Sequence, residues 1–138
     1  MKTLTESVKQ ELKQTVKYAI AEDIGSGDIT AALIPKGKRA NAKVLVRHEA
    51  VLSGSPWFNE VYDTLDRNIN VIWHAKDGDA ITKNQIVCEL IGPAASILTG
   101  ERTALNFLQT LSATATATHN FSSAMIGSNT KILDTRKT

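Results

Sequence analysis

The stretch NVIWHAKDGDAITKNQIVCELIGP, residues 70–93, decides how this chain is built. Asn70–Ala75 reads as a short strand, Asp77-Gly78 as a turn, and Ile86–Ile91 as a second strand that Gly92-Pro93 stops. Upstream, Ala42–Glu49 alternates with the two-residue period of a strand. Val44, Val46 and His48 face one way; Lys43, Leu45, Arg47 and Glu49 face the other. Between these strands the turn Ser53-Gly54 leads to Ser55-Pro56, an N-cap followed by proline at the first helical position. The helix that follows should run to about Leu65, with Trp57, Phe58, Val61, Tyr62 and Leu65 as its apolar members.

Helices bracket this strand-rich centre. Leu4, Val8, Leu12, Val16, Ala19 and Ile20 repeat at three- and four-residue spacing and form one apolar stripe, with Thr3 and Glu6 as a capping box. The acidic pair Glu22 and Asp23 opens a turn-rich run, EDIGSGDIT, from Glu22 to Thr30. Beyond Pro93 a long helix is predicted from about Ala95 to at least Thr114. Ile97, Ala104, Leu108, Leu111 and Ala115 form its main apolar face. Leu98 and Leu105 lie roughly 80–100° away, and so wide an apolar arc packs against two layers. At the end of the chain, Ile132 and Leu133 open a buried-looking strand over Lys131–Thr138. The elements describe an α+β protein with a mainly antiparallel sheet.

Composition narrows the function classes. The chain has 138 residues, 42% hydrophobic and 22% charged, which is ordinary globular composition. Sixteen basic and 14 acidic residues leave a net charge of +2, with no basic stripe for nucleic acid. The single cysteine, Cys88, sits between Val87 and Glu89 in a strand and reads as an inert core thiol; no Cys/His cluster suits structural zinc. MKTLTESVKQ carries no apolar signal core, and these features together favour the cytoplasm. Thr103–Thr130 lacks Asp, Glu, Lys and Arg, yet only 12 of its 28 residues are apolar. That is too few for a membrane span, so the segment reads as a buried or subunit-facing helix.

Few residues stand out as chemistry. His48, His74 and His119 are far apart in sequence and read as structural. Gly25 and Gly27 in GSGD follow no strand and lack the Lys-Ser/Thr ending of a phosphate loop. Arg102 lies about 140° from the centre of the long helix's apolar face, flanked by Leu98 and Leu105. Two readings stand: a surface arginine with a buried stem, or a guanidinium presented across an interface to an anion. Asp134, Arg136 and Lys137 likewise form either a solvated terminus or, at the C-terminal end of a barrel strand, an anion-binding cluster.

Three ordered motifs carry a resemblance. GERTALNFLQTLS (Gly100–Ser112) and LDTRKT (Leu133–Thr138), with EDIGSGDIT at the matching distance before them, resemble the quinolinate phosphoribosyltransferases. DGDAITKNQIVCELIGPA fits the same family's hairpin. Nicotinate phosphoribosyltransferases and a molybdenum-transport-associated homologue share parts of the pattern. The resemblance implies an α/β-hammerhead-like N-terminal domain over residues 1–113, then a connecting helix and the first strand of a truncated α/β barrel over 114–138. It implies phosphoribosyl transfer from 5-phosphoribosyl 1-diphosphate to quinolinate with decarboxylation, giving nicotinate mononucleotide for NAD synthesis. Mg2+ is expected with the diphosphate substrate, its ligands lying outside this chain, and so is a homodimer or higher homo-oligomer.

Residue by residue, Arg102 matches the arginine of the ERT motif, which in the family reaches the quinolinate site of the neighbouring subunit. Arg136 and Lys137 match the pair in DTRKT that binds substrate carboxylate and phosphoribosyl groups. Ser112-Ala-Thr-Ala-Thr116 departs from the family's usual LSGIAT by lacking the glycine. The residues expected to do most of the chemistry belong to the missing barrel, so this chain alone is expected to be inactive. The rival readings are a lipoyl- or biotinyl-like module modified at Lys76 or Lys83, and a non-catalytic fragment that only associates.

Overall fold

The computed structural model describes residues 4–25 and 27–133. Its elements are α1 (Glu6–Ile24), α2 (Ile29–Ala32), β1 (Arg39–Leu45), β2 (Ala50–Val51), α3 (Ser55–Leu65), β3 (Asn70–Trp73), β4 (Ala80–Ile81), β5 (Ile86–Pro93) and α4 (Ala94–Ala124). The expected α+β class holds. Strands β1-β5-β3 form an antiparallel sheet with β5 in the middle, and β2 pairs with β4 in a second, two-stranded sheet.

Pairing, more than alternation, sets the strand limits. The period-two pattern runs on to Glu49, but the regular ladder does not. β1 starts with Arg39 opposite Pro93 and loses register between Val44 and Leu45, near the Thr82–Gln85 turn that opens β5. Only the amide and carbonyl of Val46 continue the pairing, with Gln85 and Asn84. Val87, Cys88 and Leu90 of the central strand β5 are all buried as members of the hydrophobic core.

Phe58 joins the layers. Its ring centroid lies 5.2 Å from Tyr62 and 5.3 Å from Trp73, so it bridges α3 and β3. Burial of such a side chain contributes roughly 1.5–3 kcal/mol. α1 packs chiefly on α3 and α4, inserting Leu12 and Val16 into the same core.

The helix starts correct two expectations. α1 is capped by Thr5, whose hydroxyl accepts from the Val8 amide; Thr3 lies outside the described residues. α3 takes Gly54, not Ser55, as its N-cap residue, in a left-handed conformation (φ 109°) that favours glycine. Its orphan amides are satisfied from a distance: the Asp77 carboxylate accepts from Gly54 N and Ser55 N at 3.0 and 3.1 Å. The Asp77-Gly78 turn is thus also the cap of a helix 22 residues earlier.

α4 includes the expected helix to at least Thr114 and continues unbroken to Ala124. Ile97, Gly100, Thr103, Ala104, Leu108 and Ser112 are buried on it, whereas every residue from Ala117 to Ala124 is exposed. Only the first half of the uncharged segment is therefore a buried helix. Among the described residues, no helix is long and apolar enough to cross a membrane. Two hydroxyls of α4 complete the sheet edge beside β2. Ser112 Oγ accepts from Ser53 N and donates to Ser53 O, both at 3.0 Å, and Thr116 Oγ1 accepts from Val51 N at 2.9 Å.

Of the strand expected over Lys131–Thr138, only residues 131–133 lie among the described ones. Ile132 and Leu133 belong to no strand and are exposed. An apolar pair becomes a buried strand only when a neighbour supplies backbone partners and a covering face. Among the described residues nothing pairs with them.

Candidate functional site

The EDIGSGDIT run and the start of α4 around GERT meet at one edge of that helix through contacts spanning 71 to 80 residues of sequence. Asp23 lies in the last turn of α1, and its two oxygens take different partners. Oδ1 accepts from Arg102 Nη1 at 3.1 Å and Oδ2 accepts from Thr103 Oγ1 at 3.0 Å. Asp28 is the N-cap of α2: its Oδ1 accepts from Ala31 N and its Oδ2 from Thr99 Oγ1, both at 2.9 Å. Thr99, Arg102 and Thr103 stand three and four residues apart and so share one side of α4. Hydrogen bonds from Ala31 N and the Thr99 hydroxyl, with the more distant charge of Arg102, hold the Asp28 carboxyl below its ordinary value.

Arg102 is placed as helical geometry required. Its side chain is 85% exposed, while that of Asp23 is 17% exposed and Thr103 is buried. The carboxylate is therefore anchored on its inner side and grips a guanidinium that faces outward. Asp23 already balances the charge of Arg102, so this arginine alone does not make an anion site. It offers an oriented donor edge that other cations must supplement. Arg136 and Lys137, the other predicted binding residues, and Asp134 lie outside the described residues. Asp23, Asp28, Thr99 and Thr103 escaped the sequence reading. Their signal was available only as two aspartates within EDIGSGDIT and threonines flanking Arg102.

The remaining candidates do not converge. His74 Nε2 lies 3.3 Å from Glu89 Oε1 on the exposed face of the sheet, and His48 and His119 are exposed elsewhere. Cys88 is fully buried, and burial pushes its thiol up to about 12, so it is no nucleophile. A groove of about 880 Å³ runs between β1 and α4, lined mainly by apolar side chains such as Val44, Val46, Leu105 and Leu108. Arg102 is not among its walls.

Comparison with known proteins fits this geometry. The family model described as "Quinolinate phosphoribosyl transferase, N-terminal domain" matches residues 28–112. The chain is 38% identical over 128 residues to a probable nicotinate-nucleotide pyrophosphorylase (carboxylating) of Bacillus subtilis, covering 93% of this chain and 44% of that protein. It is 35% identical over 130 residues to the chloroplastic nicotinate-nucleotide pyrophosphorylase of Arabidopsis thaliana, covering 93% of this chain and 37% of that protein. The solved nicotinate-nucleotide pyrophosphorylase of Francisella tularensis superposes with a TM-score of 0.90 at 40% identity, over 99% of this chain and 48% of its own. The chain thus spans less than half the length of the proteins it matches. Because the family model covers most of the described fold and the matched stretch includes Asp28, Thr99, Arg102 and Thr103, the chain belongs to the quinolinate phosphoribosyl transferase family, whose N-terminal domain it carries.

Proposed function

We propose that this chain forms the N-terminal half of an enzyme that transfers the phosphoribosyl group of 5-phosphoribosyl 1-diphosphate to quinolinate. The ring nitrogen attacks C1 of the ribose, pyrophosphate departs, and loss of CO2 leaves nicotinate mononucleotide. The observation that carries this reading is Arg102, held by Asp23 and facing outward from α4, in a chain of this family. A planar guanidinium suits a dicarboxylate such as quinolinate. Bringing two anions together depends chiefly on positioning and charge neutralisation. Arg136 and Lys137 are the further cations of the reading, binding carboxylate and phosphoribosyl groups.

Mg2+ belongs with the diphosphate substrate. Among the described residues no three His, Cys, Asp or Glu side chains gather to hold a metal ion. The described residues thus do not fit a metal site, and no step of this reading runs through the ion. The proposal includes a homodimer or higher homo-oligomer, in which a second copy meets the exposed Arg102 that faces away from its own core, and a place in the cytoplasm. Family membership sets aside the carrier-module reading of Lys76 and Lys83.

The test uses a full-length enzyme carrying this chain as its N-terminal half. Arg102→Ala should cost ~2–5 kcal/mol of quinolinate binding while leaving folding and dimer formation nearly unchanged. Mixing it with an Arg136→Ala variant should restore activity, since hybrid dimers assemble one complete site. If hybrid dimers form and restore nothing, Arg102 acts within its own subunit and the shared site is wrong. The 138-residue chain alone, given Mg2+ and both substrates, should show no product above blank.

A further inference from the structure

We propose that Asp23 is a positioning residue for Arg102, setting the direction in which the guanidinium meets the carboxylate of quinolinate. The inference rests on the reading of Arg102 given above.

Asp23 occupies an electrostatically awkward place. It lies in the last turn of α1, where the helix dipole disfavours negative charge, and no basic residue shares that turn to offset it. Helix capping does not explain it, since Gly25 closes α1 through its own backbone N–H to Ala21 O. What explains the carboxylate is α4. Thr103, buried on that helix, donates to Oδ2 and so anchors one oxygen of the carboxylate. The other oxygen, Oδ1, accepts from Arg102 Nη1, 3.1 Å away.

The pair does little for stability, because an ion pair with one partner so exposed is screened by water. Its geometry does more. An arginine on a helix surface samples many rotamers, and holding it at one nitrogen removes much of that freedom before substrate arrives. The contact uses Nη1 alone, out of five N–H donors on the guanidinium. An edge remains for a two-point contact with a carboxylate, the arrangement that gives arginine its selectivity. Asp28 has no such role, because its oxygens accept from Ala31 N and Thr99 Oγ1 and make no bond to Arg102.

The experiment compares Asp23→Asn, Arg102→Ala and the double variant in the full-length enzyme. Asparagine keeps an acceptor for Thr103 and removes the charge that holds the guanidinium. Asp23→Asn should raise the KM for quinolinate about tenfold, about 1.4 kcal/mol, with kcat and the KM for phosphoribosyl diphosphate within about twofold. Added to Arg102→Ala it should change nothing further, because both act through one group. A purely structural role would instead lower Tm and disturb both substrates. If Asp23→Asn folds poorly, Asp23→Glu provides the measurement: it keeps the charge, displaces the guanidinium by one methylene, and must still raise the quinolinate KM selectively. Additive effects, or an unchanged KM with Arg102→Ala strongly impaired, would overturn the role of Asp23 alone. An Arg102→Ala variant with normal quinolinate KM would overturn the site assignment itself.

Discussion

Ser112→Ala should be costly for so small a change. The Ser112 hydroxyl accepts from Ser53 N and donates to Ser53 O, each at 3.0 Å, across 59 residues of sequence. Ser112 is almost fully buried and Ser53 half-buried, so water reaches the vacated partners poorly. Leaving one buried backbone group unsatisfied costs about 1–3 kcal/mol, and here two are orphaned in a partly accessible loop. A destabilisation of about 2 kcal/mol follows. With an unfolding entropy near 2.1 cal/mol/K per residue, that is a fall of roughly 7 °C in Tm for 138 residues. Thr114→Ala is the matched control, because that hydroxyl only bonds back to Thr110 O on an exposed face; it should stay within about 0.5 kcal/mol. Urea unfolding followed through Trp57 and Trp73 fluorescence would measure both. If the two variants lose equal, small amounts of stability, the hydroxyl does not hold α4 to the sheet edge and the account is wrong.

Gly100→Ala should destabilise by roughly 1 kcal/mol. The added Cβ would stand 2.7 Å from Tyr62 Cε1 and 2.9 Å from Leu65 Cδ1, and the overpacking cost of about 1–3 kcal/mol outweighs about 1 kcal/mol of helix propensity. A variant more stable in urea would show that the Tyr62 ring yields. Acid should weaken the fold through Asp66, whose carboxyl is held below its ordinary 3.8 by Asn68 N, the Ser96 hydroxyl and the Asn68 amide. A depressed folded value means that its contribution is complete above the unfolded value and drains away as pH falls through the folded one. Asp66→Asn should therefore flatten the loss of stability as pH falls below the ordinary 3.8; an unchanged slope would refute this. Cys88 should resist iodoacetamide at neutral pH until denaturant is added, and rapid native labelling would contradict its burial.

Local pattern settled more of this protein than distance in sequence would suggest. The apolar spacing of Leu12 and Val16, the Ser55–Leu65 helix and the Ile86–Ile91 strand were legible because helix and strand periods are properties of neighbouring residues. The outward direction of Arg102 was legible for the same reason, since about 100° per residue is local geometry. Tertiary structure alone decided what closes these elements and what they hold. Asp77 caps α3, Ser112 and Thr116 complete the edge of β2, and Asp23 takes Arg102, each across 22 to 79 residues. A carboxylate or hydroxyl carries no mark of its partner in its own neighbourhood; desolvation at the place where two distant segments meet selects it. The strand expected at Ile132 and Leu133 shows the same limit, because apolar character can propose a strand but only a pairing neighbour can make one.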